Sequence, residues 1–524
     1  MTRVNDKTAD DSREQESEDL ERHRFDEDAP DPNSADALDP NNPLDPDSEV
    51  ESQPLDPEEG LAAAAVPSLL GRVSGTGLAT GREIWRLAIP IMMSQVLVTA
   101  VGVIDIAMVG RLGPKQVAAV GYATQLYFMS QSALFAVGFA CVALMARAIG
   151  AGDRARARAA LAASLIVAVA TASVVAMVML FAPRQVLSLL NAAPDVVELA
   201  VPYMQLLFAS SMLLAVSLTL EHGLRASRDT RTPMRVSLVV TLVKIALNFV
   251  LMFGVAGIGG LGVVGAGVAT LLSQIVAIVL FGIVIRRQDP EGPMALRRAD
   301  LVASRGLLRD VIRVAMPGVG ERVVLNLALL GYFATLSSYG TVAIAAYTIG
   351  VRVMAFSWIP GTGFGAAAAT LVGHALGAGK PDDAESTGWL AARIALFAAV
   401  VLASVGALAR EPLARMFTND AATIEALGPF MLVLAAAQPM MQVHFTLGGA
   451  FRGAGDTWTP LVGAALGNWG FRVPLAALAA SWHLPLVWLW TVLVFDHVAR
   501  MVLLAFEFRR GAWKRRALRV RRSV

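Results

Sequence analysis

An all-α polytopic membrane protein, with twelve transmembrane helices in two six-helix pseudo-symmetric lobes, is what the sequence predicts. Three observations predict it. The 524-residue chain is 55% hydrophobic and only 16% charged, with a mean hydropathy of +0.57; that balance marks a helical membrane protein. Twelve apolar stretches follow one another between residues 85 and 507, each long enough to cross a hydrocarbon core of about 30 Å. The second six repeat the first at a constant distance in sequence.

Residues 1–75 precede the spans and read as a disordered acidic tail. Residues 1–60 hold 21 acids and 5 bases, a net of −16, with repeated Asp-Pro steps; little in them can be buried to offset chain entropy. The tail is expected to be dispensable, with docking of a partner the alternative. No basic segment leads into a short apolar one, so the first span is expected to be its own insertion signal. The spans then run over roughly 85–109, 117–146, 159–182, 197–222, 235–254, 261–285, 312–336, 343–372, 388–408, 423–448, 458–480 and 484–507. This divides the chain into a tail (1–75), a first lobe (76–290), a cytoplasmic linker (291–308), a second lobe (309–508) and a basic tail (509–524).

Alternate loops differ sharply in charge. One set holds Arg154, Arg156 and Arg158, then Arg225, Arg228, Arg231 and Arg235, then Arg286, Arg287, Arg297, Arg298, Arg305 and Arg309. The opposite set holds only Arg111, Lys115, Arg184, Arg410 and Arg415. By the positive-inside bias both termini are cytoplasmic, in the plasma (inner) membrane; the acidic tail does not oppose this, since Asp and Glu contribute little.

The repeat has an offset of 227. It carries Gly150-Ala-Gly152 onto Gly377-Ala-Gly379, Pro90 onto Pro317, Pro202 onto Pro429, and Arg225, Asp229, Thr230, Thr232 and Pro233 onto Arg452, Asp456, Thr457, Thr459 and Pro460. Six spans per repeat is even, so both repeats enter from one side, with an axis along the membrane normal and a cavity between the halves.

Ionisable residues inside spans are few. Asp105 sits in the first, several turns past Pro90; a carboxylate there costs about 2.5–3.5 kcal/mol on insertion scales and commonly marks an ion or substrate path, unless it reaches interfacial water. Lys244, one of five lysines, lies well inside the fifth span; it either pairs with Asp105 or snorkels to an interface. Glu321, four residues past Pro317, either lines the cavity or caps backbone freed by the proline. Asn326, Gln438, Gln442 and Arg352 are further cavity candidates. Asp496 and Arg500 share a helix face and suit packing, and Arg472 also lies within a span. Asp229 and Asp456, each ahead of Thr-x-Thr-Pro or its like, read as structural helix N-terminal signals, and Pro90 and Pro317 as structural breaks. The chain carries no Walker A loop and no His-Glu-x-x-His motif. Its lone Cys141 forms no intramolecular disulfide, and His374, His444, His483 and His497 are expected not to cluster. No enzyme, metal site, cofactor or nucleic-acid partner is indicated. The Arg-over-Lys, Ala-rich usage points to a bacterium.

Several stretches resemble the multidrug and toxic compound extrusion (MATE) family of cation-coupled exporters, closest to its DinF-like branch. They are Asp105-Ile-Ala-Met-Val-Gly-Arg-Leu-Gly, Ile149-Gly-Ala-Gly-Asp, Leu224-Arg-Ala-Ser-Arg-Asp-Thr-Arg-Thr-Pro-Met and Phe451-Arg-Gly-Ala-Gly-Asp-Thr-Trp-Thr-Pro, with Leu371-Val-Gly-His-Ala-Leu-Gly-Ala-Gly and Trp469-Gly-Phe-Arg-Val-Pro. The resemblance covers about 80–510. It implies a V-shaped twelve-helix fold, alternating access, and H⁺ or Na⁺ driving export of small amphipathic, often cationic compounds by a monomer held in membrane lipid. It places Asp105 at the first-span aspartate implicated in cation coupling. Where archaeal DinF-like members have Asn and Asp in the fifth span, this chain has Lys244 and Asn248. Where other branches have a seventh-span Glu, it has Leu325, and the tenth span holds no acid, which leaves the second-lobe carboxylate site in doubt. A proton suits one carboxylate better than Na⁺, although Asn248 and Thr99 offer oxygens. The alternatives are a lipid-linked glycan flippase of a related fold, or a non-transporting membrane scaffold.

Two expectations are testable at this level. A cysteine replacing Arg228 should react in intact cells only with a membrane-permeant thiol reagent, and one replacing Gly260 with an impermeant reagent; the reverse pattern inverts the topology. Removal of residues 2–70 should leave membrane insertion and transport largely intact. Normal abundance with lost transport would show instead that the tail acts on the membrane domain.

Overall fold

Helix length here is set by the bilayer, and the twelve longest helices match it. The computed structural model describes residues 79–255, 258–416 and 420–515. The acidic tail, and Arg516, Arg519, Arg521 and Arg522 of the basic one, lie outside the described residues. Among the described residues twelve helices are long and apolar enough to cross a membrane. We label them α1 (Gly81–Gly110), α2 (Pro114–Gly150), α3 (Arg154–Phe181), α4 (Pro194–Ala226), α5 (Arg231–Phe253) and α6 (Val263–Arg286). In the second half they are α7 (Leu308–Ser337), α8 (Thr341–Gly377), α9 (Pro381–Leu408), α10 (Ala421–Gly453), α11 (Trp458–Ser481) and α12 (Leu486–Arg510). A two-residue β-hairpin, Gly254–Val255 against Ile258–Gly259, links α5 to α6.

Two helices depart from regular winding. α8 breaks at Trp358, two residues before Pro360, into Thr341–Ser357 and Ile359–Gly377. α11 contains a π-helical stretch, Leu466–Arg472. A π-turn adds one residue to the helix, so beyond it the repeat offset becomes 228.

The Gly-Ala-Gly motifs close the structure at the face where the described chain begins and ends. Gly152 and Gly379 each adopt a φ of +77°, ending α2 and the second segment of α8 in the left-handed turn that suits glycine. Gly150 packs directly on the backbone of His374, and Gly377 on that of Arg147. These two contacts are images of one another, since 374 and 147, like 377 and 150, differ by 227. A residue contacting its partner's image is the signature of a twofold axis, so the pseudo-axis passes between the ends of α2 and α8. The same relation recurs one layer up, where Gly363 of α8 packs on Met92 and Ala88 of α1, and Gly318 of α7 on Ala136 of α2. Side chains bind the halves there too. His374 Nε2 lies 2.7 Å from the Ala226 carbonyl, and Thr370 Oγ1 donates to that of Arg225 at 3.2 Å.

The hydrophobic cores divide by depth. Near the termini face one core joins Ile84, Leu87 and Ala88 of α1 to α8, α9, α10 and α12. Two others join α2, α3 and α4 to α7 or to Ala369 of α8. Towards the opposite face each half keeps its own core, one around Tyr127, Tyr203 and Phe208 and one around Tyr332, Tyr347, Phe430 and Trp490. The halves thus share packing at the termini face and separate towards the other, which leaves a cleft between them.

Within the second half, α8 and α10 touch backbone to backbone where Gly449 meets Gly365. A side chain at 449 meets main chain that cannot yield. Gly449→Val should therefore destabilise by about 1–3 kcal/mol through overpacking, read as a lower melting midpoint in detergent. Gly428→Ala on the same helix, where a methyl meets nothing within 4 Å, should leave the midpoint unchanged or higher. Equal midpoints for Gly449→Val and the parent would show that this crossing opens freely.

Candidate functional site

In the first half one cluster of polar side chains joins an acid, a base and an amide from two helices. Asp105 on α1 meets α5, whose positions 244 and 248 are one turn apart and so share a face. Lys244 Nζ lies 2.6 Å from Asp105 Oδ2, and Asn248 Nδ2 donates to Asp105 Oδ1 at 2.6 Å. Each carboxylate oxygen thus has its own donor, one charged and one neutral. The ion pair is about a quarter exposed, with side-chain exposures of 21% for Lys244 and 26% for Asp105. Asn248 is buried, and its Oδ1 has no hydrogen-bond partner. That orphaned acceptor beside the carboxylate is a second oxygen available to a proton carrier or cation. Thr99 is not part of the cluster, because its hydroxyl is committed to the Gln95 carbonyl of its own helix.

The second half holds no equivalent carboxylate. The repeat carries Asp105 onto Tyr332, whose hydroxyl donates to the Leu489 carbonyl at 3.0 Å. Counting the π-turn, Lys244 corresponds to Arg472. Its acid comes from another helix: Asp496 of α12, fully buried, accepts from Arg472 at 2.7 Å and from Arg500 at 2.5 and 3.0 Å. Two guanidiniums on one carboxylate hold α11 to α12 and leave no acceptor free, so the triad is structural. The pairing of Asp496 with Arg500 follows from their spacing. The arrival of Arg472 depends on the π-turn, which sequence periodicity does not show.

Glu321 is held in an ion pair rather than capping the backbone after Pro317. Both its oxygens accept from Arg452 Nη2, at 2.8 and 3.0 Å, and the Arg452 guanidinium stacks 5.0 Å above the ring of Phe139 on α2. The pair therefore stands where the two halves meet. Its counterpart in the first half is built differently. Arg225 pairs with Glu221 on its own helix; the repeat replaces Glu221 by Gly448 and Ser94 by Glu321. Asn326, half-buried, sits one turn above Arg322 on α7.

Two expectations are corrected. Gln438 and Gln442 do not line the cavity: both are buried, Gln442 donating to Gln438 at 2.9 Å and to the Ser357 carbonyl at 2.6 Å, at the break in α8. They clasp a helix interruption whose carbonyls lack their regular partners. His444 and His497 do cluster, with Nε2 of the first 3.0 Å from Nδ1 of the second and their rings stacked. They lie on different helices, and no spacing along the chain announces such a contact. Arg352 alone of that candidate set is exposed, with no hydrogen bond or ion pair among the described residues. Asp229 and Asp456 accept from the backbone N–H of Thr232 and Thr459, at 3.0 and 3.1 Å, at the starts of α5 and α11. Among the described residues no group of three or more His, Cys, Asp or Glu is placed to hold a metal.

The comparisons with known proteins agree with this architecture. A family model, MatE, matches the chain twice, over residues 90–250 and 319–478. A probable multidrug resistance protein NorM of Bradyrhizobium diazoefficiens is 31% identical over 82% of this chain and 92% of its own length. Another of that name from Thermotoga maritima is 28% identical over 84% and 95%. The fold is similar to that of a MATE protein crystallised in complex with MaL6, with a TM-score of 0.77, 24% identity and coverage of 83% of this chain and 97% of that one. A family model that recurs at nearly the spacing of the internal repeat, and relatives aligned almost end to end, establish that this multi-pass membrane protein belongs to the MatE family of MATE transporters.

Proposed function

We propose that the protein exports small amphipathic or cationic compounds by antiport, with Asp105 as the coupling carboxylate and the proton as coupling ion. The observation that carries this reading is the three-residue cluster of Asp105, Lys244 and Asn248 beside a cleft between two halves. Family membership and relatives named for multidrug resistance support export over a glycan flippase or a scaffold. The arginine-rich loops support an inner-membrane orientation with both termini cytoplasmic. The lobe boundaries given above, the DinF-like affinity, the lipid surroundings and the monomeric state belong to the same proposal.

The proton follows from the charges. Na⁺ requires several oxygens facing an uncompensated negative charge, yet the Lys244 ammonium already stands 2.6 Å from the carboxylate. A proton needs only one oxygen. In the resting pair one positive group offsets one negative group, since an isolated charge in such a setting is expensive. A proton arriving on Asp105 neutralises the carboxylate and leaves Lys244 as an excess cation. The excess repels a cationic substrate, or is relieved by α1 bending at Pro90, where a backbone hydrogen bond is already missing. Either event biases two conformations against each other, which is how one protonation does work on a distant site.

Proteoliposomes with an imposed pH or Na⁺ gradient, assayed against a panel of organic cations, test this directly. Asp105→Asn should fold and reach the membrane but lose gradient-driven export. Lys244→Ala should keep some export with its pH profile moved to higher pH, since loss of the ammonium favours the protonated carboxylate. The double variant should be no worse than Asp105→Asn alone. Full, pH-responsive export by Asp105→Asn would remove Asp105 from the coupling role. An unchanged pH profile in Lys244→Ala would show that the ion pair does not set the proton's affinity.

A further inference from the structure

Arg352 is a guanidinium near mid-depth in α8, about 16 Å along the helix from Thr341. It is exposed, and no acid answers it among the described residues. The direction in which it points can be read from its helix. The residues that α8 buries before its break, among them Ala343, Ala346, Tyr347, Gly350 and Met354, fall on one face by helical periodicity. Beyond the break that face continues through Gly361, which packs on Gln442 and Phe445 of α10. Arg352 lies on the opposite face. About three turns further along the same face is Gly363, and Gly363 packs on Met92 and Ala88 of α1. Arg352 therefore looks across towards α1 at a level where the two halves have already separated. Its face also carries Thr348, exposed, and Phe356, 46% exposed one turn below.

The neighbourhood has the same sign of charge. Arg322 on α7 is half-buried close to the α7–α2 crossing; it makes no salt bridge among the described residues and shares the charge of neighbouring Glu321 with Arg452. Glu321 and Arg452 neutralise one another, as do Asp105 and Lys244 across the cleft. Among the described residues the second half thus carries more positive than negative charge here, and Arg352 is its arginine with no acid beside it. The repeat sharpens the contrast: the position matching Arg352 is Gln125, exposed on the corresponding face of α2.

We infer that Arg352 is a specificity-determining residue that receives the carboxylate of a small amphiphile bound in the cleft, with Phe356 against the apolar body. This rests on the reading of the cleft as the route of small amphipathic compounds and narrows it: the preferred ligand carries an anionic group beside its apolar or cationic part. Arginine suits the task, since its planar fork matches a carboxylate with two parallel hydrogen bonds.

The test is binding rather than transport, so it does not depend on which ion couples. The probes are rhodamine B, which bears a free benzoate, and its ethyl ester, which shares the dye but lacks the anion. Affinities are measured by fluorescence anisotropy on the purified full chain in maltoside micelles free of phospholipid. The parent should bind the free acid more tightly than the ester. Arg352→Gln should weaken the free acid about tenfold, the size of one charge-assisted hydrogen bond, and move the ester much less. Arg352→Lys should fall between, since charge survives but the fork does not. Equal affinity for both dyes in the parent, or an equal loss in Arg352→Gln, would overturn the assignment while leaving an amphiphile-binding cleft. A preference erased by a low mole fraction of phosphatidylglycerol would give Arg352 to a lipid headgroup and overturn it too. Binding of neither dye would overturn both the assignment and the reading of the cleft on which it rests.

Discussion

Two helices whose backbones touch across a pseudo-twofold axis determine how the rest of this protein is arranged. Gly150 lies against His374 and Gly377 against Arg147, and nothing larger than glycine fits either place without moving main chain. In a bilayer no hydrophobic effect drives helices together, because lipid is as apolar as leucine, so close van der Waals approach between small residues does much of that work. The contact fixes α2 and α8 at the termini face. From there the two helices and their neighbours diverge, and the cores of the two halves separate. A cleft flanked by α1, α2, α7 and α8 is the geometric consequence of joining two bundles at one end only.

Much of this was legible in the sequence because the membrane makes it so. Spans announce themselves by length and hydropathy, and the 227-residue offset survives in glycines, prolines and capping aspartates whose roles are set by backbone geometry. Asp105 and Lys244 stood out because a charge within a span needs a partner. What stayed hidden depends on how helices are rotated and spaced against each other. The π-turn that brings Arg472 to Asp496 leaves no trace in a hydrophobic period. The stacking of His444 on His497 joins helices far apart in the chain. Gln438 and Gln442 were read as cavity residues because polar residues in a span suggest one. They serve a break in α8 instead, and a freed carbonyl is as good a reason for a buried amide as a ligand is.

The two repeats share a frame but not a chemistry. Arg225 and Arg452 occupy matching places, yet the first takes its acid from its own helix and the second from α7. The difference follows from two positions, Glu221 against Gly448 and Ser94 against Glu321. Moving the acid to α7 brings Arg452 over Phe139 of the other half, so the second pair bridges the halves where the first does not. At the proposed coupling site the divergence is larger, because Tyr332 stands where the first repeat has Asp105.

That asymmetry bears on how alternating access can be driven. A symmetric transporter with one carboxylate per half would take up protons on both sides of its cleft, and each would change the charge facing the substrate. Here two acids within the second half's spans are held by arginines: Glu321 by Arg452, and Asp496 by Arg472 and Arg500 together. Asp496 is fully buried and shared between two guanidiniums, which suits a structural contact between α11 and α12. The first half is different, since its single pair holds one cation against one acid, partly open to water, with a spare oxygen on Asn248. One protonation there changes the net charge of its wall of the cleft from zero to +1, while the opposite wall stays fixed and positive. On the proposed mechanism the proton and the opposing positive charge act from opposite sides of one cleft, so a ligand carrying both an anionic group and an amphipathic body would sense the two separately.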